Sequence, residues 1–259
     1  MSEVSRRLAI VAAMPEELEA LLNAMPDRRP VERAGRIFWL GHWCGQEVVA
    51  VLSRIGKVAA AITTTVLLCE FAVDRVLFTG VAGGLGDDVR VGDVVVADQL
   101  IQHDMDASPL FPRFELPGTG QTALAADETW CQSIVACAER VLSPQALSSG
   151  GALAEVHLSA LGLAAPRVHR GLIVSGDVFV STTAASEALR AALPGALAVE
   201  MEGAAVAQVC GDFGVPFAVV RTISDRADDA AHVDFGRFVQ DVASRYSLAL
   251  AQAIVLDRW

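Results

Sequence analysis

The sequence predicts an α/β fold, one domain over residues 1–259 in which a central β-sheet is flanked by helices. Two observations carry this. β-Branched apolar runs alternate with helical patterns along the whole chain. The runs are continuous in Val, Ile and Leu, as in strands covered on both faces. No linker of distinct composition separates two cores.

Taken in order, RLAIVAAM (7–14) is a strand. PEELEALLNAM (15–25) is a helix with Glu16 and Glu17 in its first turn, where carboxylates favour the helix dipole. IFWLGHW (37–43) and EVVAVLSRI (47–55) are strands, and KVAAAITTTVLLCEFA (57–72) is a helix. RVLFTGVA (75–82) and DVVVADQLIQ (93–102) are again strands, rich in the β-branched residues that suit a pleated surface. DETWCQSIVACAERVL (127–142) is helical, and the small-residue stretch 143–168 reads as a surface insertion with one short helix. RGLIVSGDVFV (170–180), LAVEME (197–202) and FAVVRTISD (217–225) complete the strands. TTAASEALRAAL (182–193), GAAVAQVCGDFG (203–214) and FGRFVQDVASRYSLALAQAIVLD (235–257) complete the helices.

Composition narrows the function. The net charge is −11, and Lys and Arg are scattered, so neither nucleic acid nor an anionic membrane is expected as partner. The N-terminal apolar run is interrupted at Glu16 and Glu17, unlike a secretory signal, and no apolar stretch reaches spanning length. Five cysteines, an odd number without CxxC spacing, read as reduced thiols of a cytoplasmic protein and not as a metal site. A small ligand is the expected partner.

TGVAGGLG (79–86) follows a strand, but its spacing is GxxGGxG, and a turn and another strand come next. A dinucleotide fingerprint needs GxGxxG opening into a helix. Two readings remain open: a tight turn using the conformational freedom of glycine, or a turn that brings a ligand against backbone amides.

Four acids stand at strand ends or strand-to-helix turns: Glu17, Asp177, Glu202 and Asp225. Ligands of α/β sheets collect at the carboxyl ends of strands, so such acids can converge on one pocket. Each taken singly also suits a turn or a helix cap. Arg221 and Ser224 beside Asp225 favour a site. AVEMEGAAVAQVC (198–210) further sets Glu200 and Glu202 in an apolar run, where carboxylates require partners.

AAMPEE, SRIGKVAAA, TGVAGGL, RVGDVVVAD, GLIVSGDVFV, AVEMEGAAVAQVC and VPFAVVRTISDRAD follow one another through nearly the whole chain. In kind and order they resemble the blocks of bacterial 5′-methylthioadenosine/S-adenosylhomocysteine nucleosidases, within the purine nucleoside phosphorylase/uridine phosphorylase superfamily. The resemblance implies a mixed, strongly twisted sheet. It also implies hydrolysis of the N-glycosidic bond of 5′-methylthioadenosine, S-adenosylhomocysteine and, as a further candidate, 5′-deoxyadenosine, without cofactor or metal.

The resemblance also implies a role for each residue, and the chemistry suits it. Asp225 is the general acid at purine N7, oriented by Ser224; accepting from an exocyclic amine, it favours adenine. Glu17 is the general base toward water and Arg221 helps fix that water, where the gain comes from positioning. Glu202, acceptor-only when ionised, takes both hydroxyls of the ribose diol. Phe179 stacks on the base, the Val180 backbone reads its edge, and Met201 lies against the sugar. Val81, Ala82, Gly83, Ile55 and Phe235 complete the binding surface. HDMDASPLFPRFELPG (103–118) resembles a loop that crosses a homodimer interface, with Leu110 and Pro117 lining the neighbouring site. Glu200 is left a supporting salt-bridge or hydrogen-bond role.

Val81 departs from the serine of familiar bacterial members, and the 143–168 region is enlarged. The alternatives are a futalosine-type N-ribosyl hydrolase and a phosphorylase. The latter needs Arg and Ser/Thr around the glycine loop, to which Arg54 could contribute.

Overall fold

The computed structural model describes residues 7–148, 166–231, 235, 238 and 243–257. Ten strands form one mixed sheet. They are β1 (Arg7–Ala12), β2 (Arg29–Arg33), β3 (Arg36–Trp43), β4 (Gln46–Leu52), β5 (Arg75–Gly84), β6 (Val94–Gln102), β7 (Leu124–Ala125), β8 (Val168–Ser175), β9 (Ala196–Glu200) and β10 (Phe217–Asp225). The helices are α1 (Pro15–Asn23), α2 (Lys57–Glu70), α3 (Glu128–Val141), the short α4 (Pro144–Ser148), α5 (Thr183–Ala192), α6 (Gly203–Phe213) and α7 (Ser244–Leu256).

Successive side chains of a strand face opposite ways, and β1 shows what that does here. Leu8 and Ile10 join Val48 and Ala50 of β4 in a core shared with α1, α3 and α7. Ala9 and Val11 join Val49 and Val51 in a second core, shared with α2 and α6. Both faces being covered, these strands run apolar without alternation once past Arg7 of β1 and Gln46 and Glu47 of β4.

The sheet closes on itself over part of its width. β5 has ten residues and β1 six, and their pairing ends at Thr79. Beyond it, Gly83 and Gly84 pair antiparallel with Val199 and Ala198 of β9. The other edge of β5 pairs parallel with β10, which pairs antiparallel with β6; β6, β8 and β9 continue in parallel. Five strands therefore make a ring, and β1, β4, β3 and β2 extend from it as a flap.

All eight expected strands are present; β5 runs on to Gly84, β10 keeps its expected bounds, and β1 and β4 end early, at Ala12 and Leu52. The expected strand 170–180 stops at Ser175, because residues 176–180 turn away, and the strand expected over 197–202 stops at Glu200. β2 was not expected: RPVER is almost wholly exposed, so no apolar run marks it. The 143–168 region shows only Ser143, α4 and its last three residues, and the rest lies outside the described residues. Much of the expected helix before Ser244 lies outside them as well.

Candidate active site

A cavity of about 420 Å³ opens among the ends of β1, β5, β9 and β10 and the turn after β8. That volume suits a small organic ligand. Its wall is mostly apolar, from Ala13, Met14, Ile55, Val81, Ala82, Val178, Phe179, Val180, Val199, Met201 and Phe235. Polar character enters through Glu200, Glu202, Ser224 and Asp225. Among the described residues the lining holds three carboxylates and no Lys or Arg.

β10 delivers one acid. Asp225 is its last residue and is buried. Oδ2 accepts the Ser224 hydroxyl at 2.8 Å, and Oδ1 accepts the Ala227 N–H at 2.8 Å. Both oxygens are thereby oriented. Gly83, opposite, is constrained by this: a Cβ there would lie 3.0 Å from Asp225 Oδ1 and 3.0 Å from the Ala227 Cβ.

Glu202 is the buried N-cap residue of α6. Its Oε1 accepts the Gly56 N–H at 2.9 Å, which ties the start of α2 to the cavity. Burial, and next the negative charge of Glu200, push its carboxyl up to about 7. On the apolar side, Phe179 meets Phe235 edge to face, with 5.7 Å between ring centroids.

Glu200, two residues earlier, serves differently. Its Oε2 accepts from Arg221 Nη2 at 2.7 Å. The same carboxylate accepts the N–H groups of Glu202 and Gly203 and the Ser175 hydroxyl. Glu200 thus starts α6 and neutralises Arg221, a side chain with no solvent exposure. Arg221 also donates to the Phe78 carbonyl, and its guanidinium carbon lies 4.0 Å from the Phe78 ring centroid. The expected salt bridge is present, with Arg221 as partner.

Glu17 lies on the buried side of α1, whereas Glu16 is exposed. Sequence position alone did not separate the two. Glu17 accepts the Met14 N–H at 3.2 Å and the Ser247 hydroxyl at 2.9 Å. Burial raises its carboxyl, opposed by the Ser247 hydrogen bond and then by the charge of Arg221. Neither Glu17 nor Arg221 forms part of the cavity wall; they stand behind it, close enough to feel one another.

The structure therefore gathers Val81, Ala82, Gly83, Ile55, Phe179, Val180, Met201, Glu202, Phe235, Ser224 and Asp225 around one cavity. Leu110 and Pro117 are exposed and do not line it within this chain. Asp177 stays outside too. Its Oδ1 accepts the Lys57 N–H at 2.8 Å, the work of a helix-capping acid. Arg54 donates to the Gly35 carbonyl and is absent from the lining. Sequence reasoning missed Ala13, Met14, Val178 and Val199, which lie within or beside the recognised blocks, and Ser247, which no local pattern marks.

Residues 7–255 match the sequence profile of the phosphorylase superfamily. A 5′-methylthioadenosine/S-adenosylhomocysteine nucleosidase of Chromohalobacter salexigens is 36% identical over 250 residues, 96% of this chain and 97% of that protein. The crystal structure of the nucleosidase of that name from Neisseria meningitidis, in complex with methylthio-immucillin-A, superposes with a TM-score of 0.84 at 32% identity. It covers 97% of this chain and 99% of the other. The futalosine hydrolase of Helicobacter pylori matches with a TM-score of 0.80 at 33% identity, covering 98% and 99% of the two chains.

Proposed function

The chain belongs to the phosphorylase superfamily, and from that premise we propose that its cavity hydrolyses the N-glycosidic bond of 5′-alkylthio-adenosines, releasing adenine and a 5′-thioribose sugar. 5′-Methylthioadenosine and S-adenosylhomocysteine are the substrates, with 5′-deoxyadenosine a further candidate. The whole chain acts as one catalytic domain.

One observation carries water rather than phosphate as acceptor: three carboxylates and no cationic side chain line the cavity among the described residues. An anion entering there finds no cationic side chain on the described wall, Arg221 being paired with Glu200 behind it, whereas a neutral nucleoside meets acceptors for its hydroxyls and an apolar wall for its base. Val81 adds a side chain without a hydroxyl at the glycine turn.

In this reading Asp225, steadied by Ser224, gives a proton or a hydrogen bond to the departing purine nitrogen. Glu17 takes a proton from water as the anomeric carbon develops positive character, and Arg221 holds that water. Glu202 accepts the 2′,3′-diol, and the Gly56 amide fixes the direction of its carboxylate. Phe179 stacks on the base, the Val180 backbone reads its edge, and Met201 packs on the sugar. Placement of base, acid and substrate in one frame supplies much of the rate gain.

The protein acts as a cytoplasmic homodimer. Ile55, Val58, Ile62, Leu110, Val178 and Phe179 are large apolar side chains left exposed. Ile55, Val178 and Phe179 also line the cavity. A second copy covering this surface, with its own loop 103–118 carrying Leu110 and Pro117, would roof the slot for the 5′ substituent. No helix among the described residues is long and apolar enough to cross a membrane.

The likeness to a futalosine hydrolase favours a second reading, in which the same bond breaks in a nucleoside with a larger, polar 5′ arm. Chromatography of the products from 5′-methylthioadenosine, S-adenosylhomocysteine, 5′-deoxyadenosine and futalosine, with and without phosphate, tests both. Adenine should appear from the thioethers without phosphate. Turnover of futalosine alone would establish the second reading. Strict phosphate dependence with a sugar 1-phosphate product would overturn both.

A further inference from the structure

Glu17 is gripped from two ends of the chain. Its Oε2 accepts the N–H of Met14, three residues away, at 3.2 Å. Its Oε1 accepts the hydroxyl of Ser247, 230 residues away, at 2.9 Å. Both side chains are buried, on α1 and α7, which pack against each other. A buried hydroxyl could find an acceptor within its own helix, four residues back, as Thr63 and Thr64 do on α2. Ser247 instead points across to a carboxylate.

We infer that Ser247 is a positioning residue for the reaction: its hydroxyl fixes the Glu17 carboxylate in the orientation from which it accepts a proton from water. This rests on the proposed role of Glu17 as base. The Met14 amide holds one oxygen, and the Ala13 amide also favours the carboxylate; both belong to the turn before α1. The Ser247 hydroxyl holds the other oxygen, while each keeps a lone pair for water.

The contact has an acid–base consequence as well. A hydroxyl donating to a carboxylate favours its ionised form, the form a base must have. Burial works against that form at Glu17, and Ser247 is the first of the influences opposing burial. The other surroundings are few among the described residues. Arg221 reaches Glu17 as a positive charge from β10, itself paired with Glu200. β1 and β4 bring Leu8, Ile10, Ala12, Val48 and Ala50 to the shared core, all apolar. On α7 the neighbouring titratable group is Tyr246, whose phenol burial keeps neutral by raising it beyond the range in which enzymes are assayed.

A merely structural Ser247 would affect stability and leave the pH profile of kcat/KM unmoved. The test is therefore Ser247→Ala beside the wild type, with kcat/KM for 5′-methylthioadenosine followed across pH. The acid limb should move up by about one pH unit, giving roughly a tenfold loss below it, since a hydrogen bond to a charged group is of that strength. KM on the plateau should stay unchanged. Ser247→Cys, a weaker donor of similar size, should fall between the two and serves if alanine does not fold. In parallel, carbon NMR titration of the Glu17 carboxyl, assigned through Glu17→Gln, should show the same upward displacement whether or not any nucleoside is cleaved. A wild type without turnover would overturn the proposed function. An unmoved Glu17 titration in the folded Ser247 variants would overturn the inference about Ser247.

Discussion

Arg221 and Glu200 form a fully buried ion pair, Nη2 to Oε2 at 2.7 Å, that ties the middle of β10 to the end of β9. Because the Glu200 carboxylate also receives the first N–H groups of α6, one side chain joins two strands and a helix behind the cavity. Removing one partner of such a pair leaves a buried charge uncompensated, which costs about 3–5 kcal/mol. Glu200→Ala should lower stability by that order in urea unfolding. Glu200→Gln, which still accepts from the backbone, should cost less. Equal losses would show that the missing charge, and not the lost backbone hydrogen bonds, is the source.

Asp225 has each oxygen fixed, by the Ser224 hydroxyl and by the Ala227 N–H. Asp225→Asn keeps the shape and removes the transferable proton. Its kcat should fall by about 10²–10⁴, the usual range for a general acid, with melting temperature little changed. Ser224→Ala should lose roughly tenfold, since it removes the hydrogen bond and leaves the acid. Near-normal turnover of folded Asp225→Asn would contradict the assignment.

Glu202 makes folding depend on pH. Its carboxyl is raised to about 7 from an ordinary 4.5, so the folded protein binds the proton more tightly than the unfolded chain. The resulting stabilisation is complete below about pH 4.5 and is lost as pH rises through about 7. The rise corresponds to roughly 3 kcal/mol. Denaturant midpoints of the ligand-free protein should carry a falling contribution between those values, and Glu202→Gln should flatten it. An identical pH profile in the variant would assign the effect elsewhere.

Gly83 tests how closely β5 must approach the acid. Alanine there would place a methyl 3.0 Å from both Asp225 Oδ1 and the Ala227 Cβ. Gly83→Ala should depress kcat about tenfold or more through displacement of Asp225, by analogy with other small misplacements. Steady-state kinetics at the wild-type optimum would register it.

The strands were legible because both faces of the sheet are covered, so that β1, β4, β5, β6 and β10 carry continuous apolar runs. β2 was invisible for the opposite reason, being exposed and charged. The end of β8 was overextended because VFV keeps a strand-like composition, whereas Gly176 packs so closely on His103 that a Cβ would fall 2.3 Å from its ring. Chain position marked Glu202, Ser224 and Asp225 for the cavity, but it gave Asp177 equal standing, and that residue caps α2 instead. The partner of Glu200 and the hydroxyl on Glu17 come from strands and helices far along the chain, and local pattern carries no record of such contacts.

Closure of the five-strand ring also governs how the molecule behaves toward its own copies. Strands with both edges paired offer no unpaired N–H and C=O row to another chain. The flap ends on β2, whose residues Arg29, Pro30, Glu32 and Arg33 give that edge both signs of charge and a residue lacking an N–H. Such an edge resists strand-to-strand aggregation. The apolar content of 53% is thereby compatible with a sheet that does not template its own fibres.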